Sequence, residues 1–205
     1  GCLVMGILNV TPDSFSDGGE FLDPHVAVEH GLQMVADGAA IIDVGGESTR
    51  PGAARVSAAE QIDRVRPVIE AVAGRFDVAV SIDTTLGPVA RAALDAGARI
   101  VNDVSAGTED PDLLAAAAAG GAGLVLMHRL RPPEEDSYSD RYLEPPVYGD
   151  PVAAVAAFLR QRIAAAVAAG VPEAAIAVDP GLGFGKSVAD NLALVARGQS
   201  LLALG

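Results

Sequence analysis

Six polar residues, Asn9, Asp43, Asp83, Asn102, His128 and Asp179, each close a short apolar run, and their types are those that could do chemistry. Ionised carboxylates only accept hydrogen bonds, whereas an asparagine amide both donates and accepts. A seventh feature is the string Asp43-Val44-Gly45-Gly46-Glu47-Ser48-Thr49-Arg50-Pro51-Gly52. Its glycines permit close approach of backbone to a ligand. Arg50 offers a planar fork suited to a carboxylate or a phosphate. Any one aspartate after a strand serves equally well as a helix N-cap or loop residue; several gathered at one rim would be a binding site. His25, His30 and His128 are not spaced as a metal cluster, and His25 and His30 fall on the first helical stretch, where solvation is expected. No His/Cys zinc pattern occurs, so any metal is expected to be Mg²⁺, which takes oxygen ligands and bridges protein to phosphates.

The elements that must position these residues alternate along the chain. The apolar runs are Leu3 to Leu8, Ala40 to Val44, Val78 to Ile82, Arg99 to Val101, Gly123 to Met127 and Ala175 to Val178. They are continuous, as expected of parallel strands buried on both faces. Longer Ala/Leu/Arg/Glu stretches follow each run. Asp23-Pro24, Asp110-Pro111 and Asp150-Pro151 read as N-caps followed by a first-turn proline, and Ser57 to Glu60 fits a capping box. Gly38, Gly97, Gly120 and Gly170 stand where helices should end. Strand–helix repetition gives a parallel α/β sheet, either doubly wound and open or closed as a (β/α)8 TIM barrel. No Gly-x-Gly-x-x-Gly follows the first run, and the polar residues are spread over many strand ends. Both points favour the barrel, whose chemistry collects at the C-terminal ends of its strands. About six of the eight units of such a barrel are present, in one domain over 1–205. The segment Arg129 to Gly149, rich in proline and acidic residues, reads as an exposed loop after the fifth strand, either a lid or a passive insertion.

Composition narrows the function classes. With 14 Lys+Arg against 27 Asp+Glu, the formal net charge of −13 argues against nucleic-acid binding, which needs a basic face. The Ala-rich runs are broken well short of the ~18 uninterrupted apolar residues of a membrane helix. One cysteine, Cys2, forms no internal disulfide. A cytoplasmic protein without a membrane partner is expected.

Two strings carry a family resemblance. Met5-Gly6-Ile7-Leu8-Asn9-Val10-Thr11-Pro12-Asp13-Ser14-Phe15-Ser16-Asp17-Gly18-Gly19 and Asp43 to Gly52 resemble, nearly letter for letter, the two N-terminal signatures of the dihydropteroate synthase family. Ser81-Ile82-Asp83-Thr84, Asn102-Asp103-Val104-Ser105 and Asp179-Pro180-Gly181-Leu182-Gly183-Phe184-Gly185-Lys186 are similar to further family motifs. The resemblance implies a TIM barrel that condenses a dihydropterin diphosphate with p-aminobenzoate in folate biosynthesis, and a sulfonamide target. It assigns Asp83, Asn102 and Asp179 to the pterin and to catalysis, with Asp179 accepting the adjacent amine and ring N–H. It places Met127 and Phe184 near the ring plane, Thr49, Arg50 and Pro51 on p-aminobenzoate, and Asn9 on Mg²⁺ through its side-chain carbonyl. A homodimer is implied for the full-length protein. Met127 also fits a plain core position.

Other readings are an inactive pterin-binding paralogue, a pterin-dependent methyltransferase domain, and a pterin-binding module without activity. The intact Glu47-Ser48-Thr49-Arg50-Pro51 string favours the synthase over the methyltransferase. The family's Ser-Arg-Lys and Arg-x-His motifs, which bridge the substrates and grip the diphosphate, do not occur in these residues, and the basic groups near the mouth, Arg50 and Lys186, are too few to replace them. These 205 residues expressed alone are therefore expected to show little or no synthase activity. Diphosphate release at an ordinary enzymic rate, about 1 per second or faster, would overturn that expectation.

Overall fold

The structure, a computed structural model, describes residues 2–11, 24–75 and 77–204. The first signature beyond Thr11 and the expected N-cap Asp23 lie outside the described residues. Six strands, β1 (Met5–Asn9), β2 (Ile41–Gly45), β3 (Ala79–Asp83), β4 (Ile100–Asp103), β5 (Gly123–Met127) and β6 (Ile176–Asp179), form one parallel sheet in the order β1-β2-β3-β4-β5-β6. Helices α1 (Pro24–Ala36), α2 (Ala58–Arg75), α3 (Gly87–Asp95), α4 (Asp112–Ala119), α5 (Pro151–Ala168) and α6 (Val188–Ala196) follow the strands in turn. Every neighbour in the sheet is the next strand in the chain, which is the winding of a TIM barrel and not of a doubly wound sheet.

Several strands extend one residue further than the apolar runs, so Asn9, Asp83, Asn102 and Asp179 lie inside the ladder rather than after it. The cause is alternation. Leu8, Ile42, Val44, Val80, Ile82, Val101, Leu124 and Leu126 are buried on the helix side with Val65, Ile69, Val89, Leu113 and Leu159. The opposite face carries Ile7, Asp43, Ser81, Asp83 and Asn102, so the strands are apolar on one face and substantially polar on the other. The expectation of two apolar faces is corrected to that extent.

Local signals held in part. Asp150 caps α5 by accepting from the Val152 and Ala153 amides. Asp110 accepts from Asp112 N–H as expected, but its other oxygen accepts from Gly87 N–H, pinning the start of α3 to the start of α4. Ser57 accepts from Glu60 N–H, while the Glu60 carboxylate turns to Arg64. A full capping box forms instead at Ser187 and Asp190. Gly38, Gly97 and Gly170 close helices with positive φ, whereas Gly121 takes that role in place of Gly120. By length and composition alone α5 could cross a membrane. Here one face packs on the core: Val155, Leu159, Ile163 and Ala166 form a buried stripe, and Arg162 donates to the Ala106 carbonyl at 2.6 Å.

Ile82, fully buried between β3 and the helices, tests this layer. Ile82→Ala is expected to cost about 2–5 kcal/mol, read as a lower urea midpoint with an unchanged slope.

Candidate active site

Strand register builds the site. Asn9 pairs with Gly45, Gly45 with Asp83, and Asp83 with Asn102, so one row crosses four strands. Met127 and Asp179 pair at the ends of β5 and β6. All except Gly45 line one cavity of about 1050 Å³, together with Asp43, Thr11, Ser48, Thr49, Arg50, Pro51 and Phe184. The structure thus brings together every expected site residue: Asn9, Thr49, Arg50, Pro51, Asp83, Asn102, Met127, Asp179 and Phe184. Met127 is 3% exposed and belongs to the packed interior as well as to the cavity wall. His25 and His30 are exposed on α1, and His30 also borders the cavity.

Gly45 contributes by what it lacks. A Cβ there would stand 3.4 Å from Asn9 Oδ1 and 3.6 Å from Asp83 Cβ, filling the space between them. At Gly46 a Cβ would meet Val65 at 2.9 Å and the Gln61 backbone at 3.2 Å, so α2 approaches this closely only because the side chain is absent.

The carboxylates are electrostatically loaded. Burial pushes the Asp83 pKa well above the usual carboxylate range, and the neighbouring charges of Asp43, Asp103 and Glu47 push it further, against Arg129. Burial also raises Asp43, opposed by the Asn102 amide. Asn102 Nδ2 donates to Asp43 Oδ2 at 2.9 Å, which fixes the amide and aims its remaining groups. Asp43 Oδ1 and Ser81 Oγ are buried and have no hydrogen-bond partner among the described residues, so the orienting contact is that from Asn102. Asp103, on the opposite face of β4, is raised by burial against the Ser105 hydroxyl and the Ser105 and Gly107 amides, all of which it accepts.

The loops are fastened to one another. Glu47 Oε1 accepts from the Val56 amide at 2.6 Å, closing the loop that presents Thr49, Arg50 and Pro51. Arg55 pairs with Glu47 and Glu109, and Arg129 with Glu109 at 2.8 Å, joining the loops after β2, β4 and β5. The 129–149 segment is a strap rather than a loose insertion. Pro133 C=O accepts from Gly52 N–H at 2.8 Å, Asp136 accepts from Gly185 N–H and from Tyr142, and Asn191 donates to Ser139. Tyr138 rides on this strap and lines the cavity, a contact that sequence reasoning missed. The only signal for it was an aromatic residue in an otherwise polar, proline-rich loop.

Lys186 corrects an expectation. It was counted among the basic groups near the mouth, but it is fully buried. Its ammonium lies 3.0 Å from His128 Nδ1 and donates to the carbonyls of His128, Gly181 and Phe184. Arg50 and Arg64 are the Lys/Arg residues that line the cavity among the described residues. Arg64 donates to Gly46 C=O at 2.8 Å, so Arg50 is the more available cation.

Comparison with known proteins follows the same lines. Residues 5–204 match the family described as "Pterin binding enzyme". The dihydropteroate synthase of Mycobacterium leprae is 52% identical over 203 residues, covering 98% of this chain and 69% of that protein. A solved dihydropteroate synthase of Xanthomonas albilineans with 4-aminobenzoic acid superposes with a TM-score of 0.88 at 45% identity, over 99% of this chain and 70% of that one. Another solved structure of the same organism's enzyme, with 7,8-dihydropteroate, gives a TM-score of 0.84 at 42% identity, covering 99% and 69%.

The buried pair beneath the site predicts a pH response. Burial, then the Lys186 charge, lower the His128 pKa from 6.5 to about 4. Between those values the unfolded chain binds a proton that the folded chain does not, so stability falls as pH drops through this window. On linkage grounds the loss from His128 is on the order of 2 kcal/mol. Urea titrations at pH 7.5 and 4.5 should show it in wild type and not in His128→Asn, which keeps an acceptor for Lys186 but does not titrate.

Proposed function

Because this chain belongs to the pterin-binding enzymes, as a dihydropteroate synthase, we propose that it condenses (7,8-dihydropterin-6-yl)methyl diphosphate with p-aminobenzoate, giving 7,8-dihydropteroate and diphosphate in folate biosynthesis. The observation that carries this reading is the convergence of Asp83, Asn102 and Asp179, from three separate strands, on one cavity that also holds Thr49, Arg50, Pro51 and Phe184. One edge of a pterin presents an exocyclic amine beside a ring N–H. A carboxylate accepts both, and Asp179 takes that role with the lone pairs left after Gly181 N–H, which it accepts at 2.7 Å. Asn102, held by Asp43, offers an oxygen and one N–H to the remaining ring groups. Phe184 and Met127 supply apolar and polarisable surface to the ring plane.

The reaction is a substitution at the pterin methylene. The C–O bond to diphosphate breaks, the aniline nitrogen bonds to carbon, and that nitrogen loses a proton. Positive charge developing on the methylene is shared by the ring and favoured by the acidic surroundings of Asp83 and Asp179. Arg50 and the backbone of its loop orient p-aminobenzoate, converting an encounter of two substrates into a positioned attack. No covalent enzyme intermediate is required. Competition by sulfonamides would occur in this same region.

The Asn9 side-chain carbonyl faces the gap over Gly45 and offers an oxygen of the kind Mg²⁺ prefers. Bound there, the ion would neutralise charge on the departing diphosphate. A cytoplasmic location and a homodimeric full-length protein complete the proposal.

The test is diphosphate release by the full-length protein from the dihydropterin diphosphate with Mg²⁺, with and without p-aminobenzoate. Release that requires p-aminobenzoate supports the synthase; methyl transfer from a methylated folate, or pterin binding without release, sinks it. Asp179→Asn should weaken pterin binding by about 2–3 kcal/mol, since it replaces a charged acceptor by a half-donor, and calorimetry reads that directly.

A further inference from the structure

We propose that Lys186 is a positioning residue for the pterin site, a buried cation that moulds the β6–α6 loop so that Asp179 and Phe184 face the ligand. The inference rests on the synthase reading and concerns how that site is held.

The loop 180–186 depends on hydrogen bonds rather than side-chain packing for its shape. It carries glycines at positive φ at 181, 183 and 185. Two of these are also close approaches: a Cβ at Gly181 would come within 2.0 Å of the His128 carbonyl oxygen, and one at Gly185 within 2.4 Å of Leu130 Cβ. A turn so rich in glycine loses much chain freedom on ordering and has little side-chain packing of its own. Lys186 supplies the fixed point. Its Nζ, at 0% exposure, draws Gly181 C=O to 2.8 Å, Phe184 C=O to 2.9 Å and His128 C=O to 3.1 Å. The first two belong to the loop and the third to the end of β5. One ammonium therefore binds the loop to the neighbouring strand.

The surroundings complete the anchor. His128 Nδ1 lies 3.0 Å from Nζ; an ammonium has three N–H groups and can only donate, so they are shared among Nδ1 and the three carbonyls, and the imidazole is neutral with its proton on Nε2. The His128 ring packs edge-on against Phe158 at 4.9 Å, and Tyr148 donates to Gly185 C=O at 2.6 Å. The amides of Gly181, Gly183 and Gly185 are taken by Asp179, Asn191 and Asp136. Each bond fixes the backbone between Asp179, which accepts the pterin edge, and Phe184, which flanks its plane.

The full-length protein is the material for the test. Wild-type pterin binding and p-aminobenzoate-dependent diphosphate release check the synthase reading first, so failure there is separate from failure of this proposal. Lys186→Met removes the donors and the charge while keeping an apolar stem. It is expected to weaken binding of the dihydropterin diphosphate at least tenfold, with KM for p-aminobenzoate within about twofold of wild type. Lys186→Gln, whose amide offers two N–H groups but stops one atom short, should fall between the two. Unchanged pterin affinity in folded Lys186→Met, or an equal loss for both substrates, overturns the proposal. Should Lys186→Met fail to fold, Lys186→Gln decides by the same criterion: a loss confined to the pterin supports the role, and a shared loss or none refutes it.

Discussion

Hydrogen-bond register is the constraint on which everything else in this chain depends. Because side chains alternate across a strand, the pairing of Asn9 with Gly45, Gly45 with Asp83 and Asp83 with Asn102 places their side chains on one face. A slip of a single residue would turn the row toward the helices and bring Leu8, Val44, Ile82 and Val101 to the cavity instead. The buried aliphatic layer on the helix side makes such a slip costly. Core and site are therefore two faces of the same specification, and the apolar packing that stabilises the fold also aims the polar groups.

That arrangement concentrates negative charge in a poorly solvated place. Asp43, Asp83 and Asp103 all have raised pKa values, and burial is the leading cause in each. The structure meets the burden locally rather than through net charge, which is −13. Asn102 satisfies one oxygen of Asp43, Ser105 and Gly107 satisfy Asp103, and Arg129 lies near Asp83 and Asp103 while pairing with Glu109. Asp83 faces the cavity, where a cationic or N–H-rich ligand would relieve its raised pKa. An environment that is unfavourable to the free carboxylate is favourable to positive charge arriving beside it.

The fold and the family were legible because strand runs, proline-led helix starts and two long loop strings are local features of the chain. The site residues were legible as strand-end polar groups for the same reason. The details that escaped depend on long-range contacts. Nothing adjacent to Lys186 announces that its ammonium will turn inward; its partners include His128, 58 positions away, and three carbonyls that are invisible in a sequence. Tyr138 enters the cavity because the strap is fastened at Pro133 and Ser139 to distant residues. Glu60 was expected to complete a capping box, but Arg64, one turn on, competes for its carboxylate. The polar inner face of the strands was hidden because apolar runs define only the face that packs on helices.

The fastening of the 129–149 strap has a consequence for how this site could diversify. One end of the strap is bonded to Gly52, beside the loop bearing Thr49, Arg50 and Pro51, and the other to Gly185 and Asn191, beside Phe184. Two walls of one cavity thus share a mechanical link. Changes of length or sequence in this stretch would therefore shift both walls together while leaving the acidic row untouched.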